Sequence, residues 1–270
     1  MICHSRFVLL FRVLNAAMVM SALTMSSAFA TILVNENFSH TDGDLVGKTP
    51  TPGPGAAWDG HSAAGTNPIQ VAGGTAVINQ QGGEDANSSY AIQSDTSTTY
   101  ARFDFSLPAS TNSDIANLDA NGLYFAHFRG GTGTSFRARV GVLAPDSGGD
   151  FKLVLSEDST IGDGAIWATE LAFDTTYRVV TEYNASTQQS RLWLDPADMS
   201  STNITATNSL GASDNFGYAL RQSDDYNGQQ IVDNLVVATS FDEALTGVPE
   251  PGSVVLMLCS LVFLAGHRVR

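Results

Sequence analysis

Apolar and polar residues alternate through much of the middle of the chain. From Tyr100 to Leu107, Ala101, Phe103, Phe105 and Leu107 fall on one side of an extended segment and Arg102 and Asp104 on the other. That two-residue period predicts a half-buried strand. Phe136, Ala138, Val140 and Val142 alternate with Arg137 and Arg139 in the same way, as do Phe151, Leu153 and Leu155 with Lys152. Further strands are predicted at 75–80, 88–93, 122–129, 177–183, 191–194, 216–221 and 230–238, where β-branched and aromatic residues concentrate. Turn signals separate them: Gly82-Gly83, Asn121-Gly122, Gly130-Gly131, Gly148-Gly149 and Asn227-Gly228 supply residues that tolerate positive φ. No internal repeat is found, and no helix-period segment exceeds a turn or two. About a dozen strands, each with one apolar face, predict two antiparallel sheets packed face to face. Segment 47–68, with Pro50, Pro52 and Pro54 and little periodicity, reads as a long surface excursion.

The two ends break this pattern. A short polar start with Arg6 and Arg12 leads into an apolar run from Val13 to Leu23 and then Ala28-Phe29-Ala30. Ala28 and Ala30 are the small residues a signal peptidase requires at −3 and −1, so 1–30 is expected to be a signal peptide cleaved after Ala30. The strand-like Thr31-Ile32-Leu33-Val34 follows at once. At the other end stands Val248-Pro249-Glu250-Pro251-Gly252, then an apolar segment over 253–266 and a basic end over 267–270 with Arg268 and Arg270. The segment is short of the roughly 20 residues a perpendicular helix needs to span hydrocarbon, which suits transient membrane insertion with the arginines held on the cytoplasmic side. The tail over 246–270 resembles the PEP-CTERM sorting signal. The resemblance implies that Pro249, Glu250 and Pro251 are recognised by an exosortase-type membrane protease, and that the protein is exported to the cell envelope or extracellular matrix. His267 departs from the pattern, at a place often held by arginine.

Composition narrows the function classes. The formal charge is −14, and setting aside Arg6, Arg12, Arg268, Arg270 and Glu250 leaves −17 on residues 31–245. So acidic a domain repels nucleic acid and anionic headgroups, and no basic stripe relieves it, because Lys48 and Lys152 are the only lysines. Nucleic acid is excluded as a partner. The cysteines, Cys3 and Cys259, lie in the two ends, so the middle has neither disulfides nor cysteinyl metal sites. Its stability must come from its core, which a chain of this length can supply.

A second resemblance rests on softer motifs: Asn37-Phe38-Ser39-His40-Thr41-Asp42-Gly43-Asp44-Leu45-Val46-Gly47 near the start, Tyr177-Arg178-Val179-Val180 and Arg191-Leu192-Trp193-Leu194-Asp195-Pro196 further on, and Ile231-Val232-Asp233-Asn234-Leu235-Val236-Val237 near the end. Together these look like the concanavalin A-like, laminin-G-type jelly rolls, which implies an all-β antiparallel two-sheet sandwich over 31–245. Related jelly rolls include glycoside hydrolases and calcium binders, so the resemblance implies that either chemistry is open to this fold.

Glycoside hydrolysis needs paired carboxylates from one face of a strand. Asp42 with Asp44, Glu157 with Asp158, and Asp224 with Asp225 fall in turns or at strand ends, and adjacent acids on a strand point to opposite faces. A nucleophile triad needs an oriented histidine; the middle offers His40, His61 and His127, with no Gly-x-Ser-x-Gly elbow. His127, in Tyr124-Phe125-Ala126-His127-Phe128, reads as a satisfied strand histidine. Asp42, Asp44, Asp224, Asp225 and Asn227 offer oxygen ligands for calcium but are equally ordinary turn residues. Trp58, beside His61 in the 47–68 excursion, fits either a sugar-stacking platform or a plug on its own core. No catalytic residue, metal or cofactor is assigned. The expected function is that of a non-catalytic exported surface or matrix protein. The alternatives are a carbohydrate-binding module for extracellular polysaccharide and a divergent glycoside hydrolase, which the carboxylate spacing disfavours.

Overall fold

Every run of alternating residues becomes a strand. The computed structural model describes residues 30–249, apart from 82, 132, 134, 159, 208–209 and 224–225. In chain order the strands are β1 (Ile32–Glu36), β2 (Gly43–Asp44), β3 (Asp59–Ser62), β4 (Gln70–Ala72), β5 (Thr75–Asn79), β6 (Asp85–Gln93), β7 (Thr98–Ser106), β8 (Leu123–Gly130) and β9 (Ser135–Leu143). There follow β10 (Lys152–Ser156), β11 (Ala165–Ile166), β12 (Tyr177–Asn184), β13 (Gln189–Leu194), β14 (Asn203–Thr207), β15 (Asn215–Leu220), β16 (Gln229–Ala238) and one short helix, α1 (Phe241–Thr246). The 47–68 excursion thus contains an edge strand, β3. Of the turn glycines, Gly122 and Gly131 adopt positive φ, at 63° and 59°.

The strands form two antiparallel sheets. One runs β14-β13-β12-β7-β16-β5-β4-β2, with β1 also paired to β16; the other runs β11-β10-β9-β8-β15-β6-β3. The apolar faces meet between them. Ala101, Phe103, Phe105 and Leu107 of the β7 segment all lie in this core, as the alternation predicts. Phe105 stacks on Phe125 of β8 at 4.9 Å, and Phe128 meets Tyr218 of β15 edge-on at 5.2 Å. Each such buried ring contributes about 1.5–3 kcal/mol. The described residues belong to one compact unit.

Two features depart from the simple pattern. In β9, Arg137 pairs with Phe128 and Val140 with Ala126, so Ala138 and Arg139 together face His127 alone. This bulge, with Ala138 at φ 48°, inverts the strand's phase. Phe128 points into the core and so, opposite it, does Arg137, while Phe136 turns outward onto His127 at a centroid distance of 4.4 Å. The alternation assigned Phe136 and Arg137 the other way round. The second departure is on the outer face of the nine-stranded sheet, where Tyr100, Val180, Trp193 and Val236 are buried beneath Phe241 and Ala244 of α1. Ser240 caps this helix through Glu243 N at 3.2 Å, and Gly247 ends it at φ 69°. Arg102, expected in solvent, is consequently buried and donates its Nε to Ala244 O at 3.2 Å.

Candidate binding face

The outer face of the seven-stranded sheet gathers most of the chemistry. Cross-strand register sets one outward row, Asp59 of β3 against Asn87 of β6, then Ala219 of β15 against His127 of β8, and finally the bulged Arg139 of β9. The next row holds Ser89, Gly217, Arg129 and Phe136. The small residues of β15 lower the middle of the sheet. Arg129 reaches across them to donate Nη1 to Asn87 Oδ1 at 2.7 Å.

Above this floor sits His61 of β3, 6.4 Å from His127 and 6.3 Å from Phe136 between ring centroids, with Nε2 3.9 Å from Asp85 Oδ2. Burial, reinforced by the Arg129 guanidinium, holds the His61 pKa down to about 4. His127 is fully enclosed, and burial above all, with Arg139, His61 and Arg221 adding repulsion, lowers it to about 3. Both imidazoles are therefore neutral at neutral pH. His127 Nδ1 lies 3.1 Å from Phe128 O, which can only accept, so the ring proton sits there and Nε2 is left as a lone-pair acceptor. Among the described residues that buried Nε2 has no hydrogen-bond partner, nor has Arg139 Nε. The sequence reading of His127 as satisfied holds for one nitrogen only.

The cations of this face are equally distinctive. Elsewhere Arg137, Arg178, Arg191 and Lys152 pair with Glu157, Asp104, Glu182 and Asp146. Among the described residues, Arg129, Arg139 and Arg221 have no carboxylate within ion-pair distance and lie instead on aromatic rings. Arg221 covers Tyr124 at 4.3 Å, Arg139 spans Tyr124 and Phe136 at 5.4 and 5.7 Å, and Arg129 covers Phe216 at 5.7 Å.

The other sequence candidates are placed elsewhere. Trp58 is 1% exposed and plugs the core beside Phe38, its Nε1 donating to Glu36 Oε2 at 3.0 Å, which removes it as a sugar platform. His40 meets the same carboxylate oxygen at 3.0 Å. Asp42 and Asp44 accept from Gly73 N and the Gln70 side chain, as turn residues do, and Asn227 accepts from Gln81. Glu157 turns inward and accepts from Ala138 N at 3.1 Å and from Ser190 Oγ; burial raises its pKa. With Asp158 it lines a cleft of about 330 Å³ between the sheet edges at β11 and β14. Among the described residues no group of three or more His, Cys, Asp or Glu side chains is placed to hold a metal ion. Asp224 and Asp225 lie outside the described residues, as do Ala28, Glu250, Pro251, Arg268 and Arg270.

One carboxylate pair was invisible along the chain. Asp104 of β7 stands directly opposite Asp233 of β16, and Asn234 Nδ2 bridges both at 3.0 and 3.2 Å. Burial, and then Asp104 itself, raises the Asp233 pKa. Arg178 Nε donates to Asp104 at 3.0 Å, so the pair is tied into a cross-strand polar knot.

No family model matches the chain, and no curated protein matches it. Among solved structures it is similar to peanut lectin, solved with a nine-residue peptide, at 13% identity over 79% of this chain and 98% of that one, with a TM-score of 0.44. It is similar to lectin I of Ulex europaeus, solved with the methyl glycoside of α-L-fucose, at 16% identity over 79% and 98%, TM-score 0.43. A sialidase matches at 13% identity and TM-score 0.45 over 77% of this chain but only 19% of its own length. These likenesses are of fold and transfer no activity.

What the seven-stranded face can do follows from its own groups. Three guanidinia and two neutral imidazoles oppose a bound cation. The partly exposed rings of Phe136 and Phe216 lie on this face with the partly exposed guanidinia of Arg129 and Arg221, an arrangement suited to ligands that combine polar groups with an apolar side.

Proposed function

We propose that this chain is an exported, non-catalytic protein whose β-sandwich is displayed at the cell envelope or in the extracellular matrix, after signal peptidase removes 1–30 and an exosortase-type protease acts at Pro249–Pro251. The observation that supports this reading is where the folded unit begins and ends. β1 starts at Ile32, and Thr31 is held to Thr239 by two hydrogen bonds of 2.9 and 3.0 Å. The last helical turn closes at Gly247, and Val248 beyond it is 63% exposed. Cleavage after Ala30 and near Pro249 therefore leaves every strand intact, and Val248 beside the second junction is open to solvent.

Intact mass and fractionation of the protein from its host test both ends together. The expected product starts at Thr31, stops near Pro249 and is found in the surface or matrix fraction, and deletion of 249–270 abolishes its display. A species with its tail intact in the inner membrane would overturn the sorting reading.

A second reading, carbohydrate binding, is favoured by the seven-stranded face, where the partly exposed rings of Phe136 and Phe216 lie with the partly exposed guanidinia of Arg129 and Arg221. It is compatible with the first, since a surface protein needs something to hold.

A further inference from the structure

We propose that the outer face of the seven-stranded sheet, around Arg129, Arg139 and Arg221, binds a saccharide that carries a carboxylate, namely a uronate. The inference rests on the carbohydrate-binding reading and narrows it to a ligand class.

The first argument is charge. In a domain of −17 with nine cations, three guanidinium groups lie on one face and, among the described residues, none has a carboxylate within ion-pair distance. Elsewhere on the domain most cations carry an acidic partner, as the pairs on Asp104, Glu182, Asp146 and Glu157 show. The acids nearest this face offset its charge in part, Asp59 at Arg129 and Glu157 at Arg139, but among the described residues none forms an ion pair with these guanidinia. Asp59 sits at the β3 rim, while Asp85 is buried, accepts from Gln222 N at 2.9 Å and lies 3.9 Å from His61. The domain's remaining negative charge is largely screened beyond about 8 Å at physiological ionic strength, so the local guanidinia govern what docks.

The second argument is geometry. The Arg221 guanidinium carbon lies over Tyr124, 4.3 Å from the ring centroid, and among the described residues its one hydrogen bond is a long one, Nη1 to Tyr124 O at 3.5 Å, which leaves most of its fork of donors unoccupied. A guanidinium held over a ring with its fork free can receive a carboxylate through two parallel hydrogen bonds. Arg129 is anchored by Nε to Gly133 O at 3.0 Å and by Nη1 to Asn87, and so is held in place rather than swinging free. Arg139, bound to Glu157 O through Nη1 at 2.6 Å, lies deeper and fixes the positive potential of the floor.

The third argument selects a sugar over a phosphate. Phe136 and Phe216 are partly exposed and offer ring faces to the apolar side of a pyranose.

The test is calorimetric titration of the protein purified from its host with oligomers of galacturonate, glucuronate, mannuronate and guluronate, each set beside its carboxyl-reduced neutral counterpart. At least one uronate should bind about tenfold or more tightly than its reduced form, as expected for loss of a guanidinium–carboxylate contact, and its binding should weaken as salt is raised. Arg221→Gln and Arg129→Gln, both at partly exposed positions, should each weaken it about tenfold; Arg221→Gln should leave the melting temperature unchanged, whereas Arg129→Gln also gives up its bonds to Gly133 and Asn87 and should lower it somewhat. If neutral oligomers bind as well as uronates, the ligand class is wrong and carbohydrate binding survives. If no oligomer binds, both fail. Uronate binding untouched by either substitution would place the site elsewhere and overturn the assignment.

Discussion

Glu36→Ala is expected to destabilise the domain by about 4 kcal/mol, a large part of the roughly 5–15 kcal/mol that holds a typical domain folded. The Glu36 side chain is wholly enclosed at the end of β1. Its Oε1 accepts from Phe38 N at 2.7 Å and more weakly from Thr51 N at 3.4 Å, and its Oε2 accepts from His40 Nε2 and Trp58 Nε1, each at 3.0 Å. Four donors from three stretches of chain converge on one carboxylate. Hydrogen bonds to a charged group are worth about 1.5–3 kcal/mol each, and removing the shared acceptor strands the donors rather than returning them to water. Glu36→Gln should recover only part of the loss, because its amide nitrogen must face at least one N–H. Urea unfolding followed by tryptophan fluorescence measures both variants. A cost for Glu36→Ala below about 1 kcal/mol would mean that the carboxylate is not what pins the 47–58 segment against the sandwich.

That carboxylate also marks where the sequence could be read and where it could not. The alternation over 100–107 predicted β7 and its inward face, because a two-residue period is a local property of the chain. The same rule failed over 136–142, since the bulge falls on Ala138, a residue with no special claim to positive φ, and a single inserted residue turns Phe136 and Arg137 to opposite faces. Trp58 as a plug was one of two readings; choosing it required knowing that Glu36, 22 positions earlier, would meet its indole. The burial of Arg102 depended on a six-residue helix too short to show a period. The candidate face was the least legible part. Asn87, His127, Arg129 and Arg139 come from three strands, and only the register of β6, β15, β8 and β9 brings them together. Each looks like an ordinary strand residue in its own segment.

The neutral imidazoles of that face should make the domain sensitive to acid in a way that one substitution exposes. His127 titrates at about 6.5 when unfolded and at about 3 when folded, so below pH 6.5 the unfolded chain takes a proton that the native state refuses. Its contribution is intact above pH 6.5 and is lost as the pH falls towards 3, reaching about 3 kcal/mol at pH 4 at 1.36 kcal/mol per unit. His61, folded at about 4, acts in the same direction. Asp85 acts in the opposite one. Burial raises its folded pKa to about 6, so the native state takes up its proton first and gains stability between pH 6 and about 3.8, and the other acids raised by burial do likewise. The stability of the wild-type protein alone therefore hides the histidines behind the carboxylates. The comparison that isolates one of them is wild type against His127→Phe, in which the ring volume is nearly kept and the lost Nδ1 hydrogen bond is a constant offset. Urea unfolding of both at pH 7 and pH 4 should show the gap shifting by about 3 kcal/mol in favour of the variant at the lower pH. A gap that stays constant would mean that His127 titrates at the same pH folded as unfolded, and that its enclosure among Arg139, Arg221 and His61 does not hold the imidazole neutral below pH 6.5.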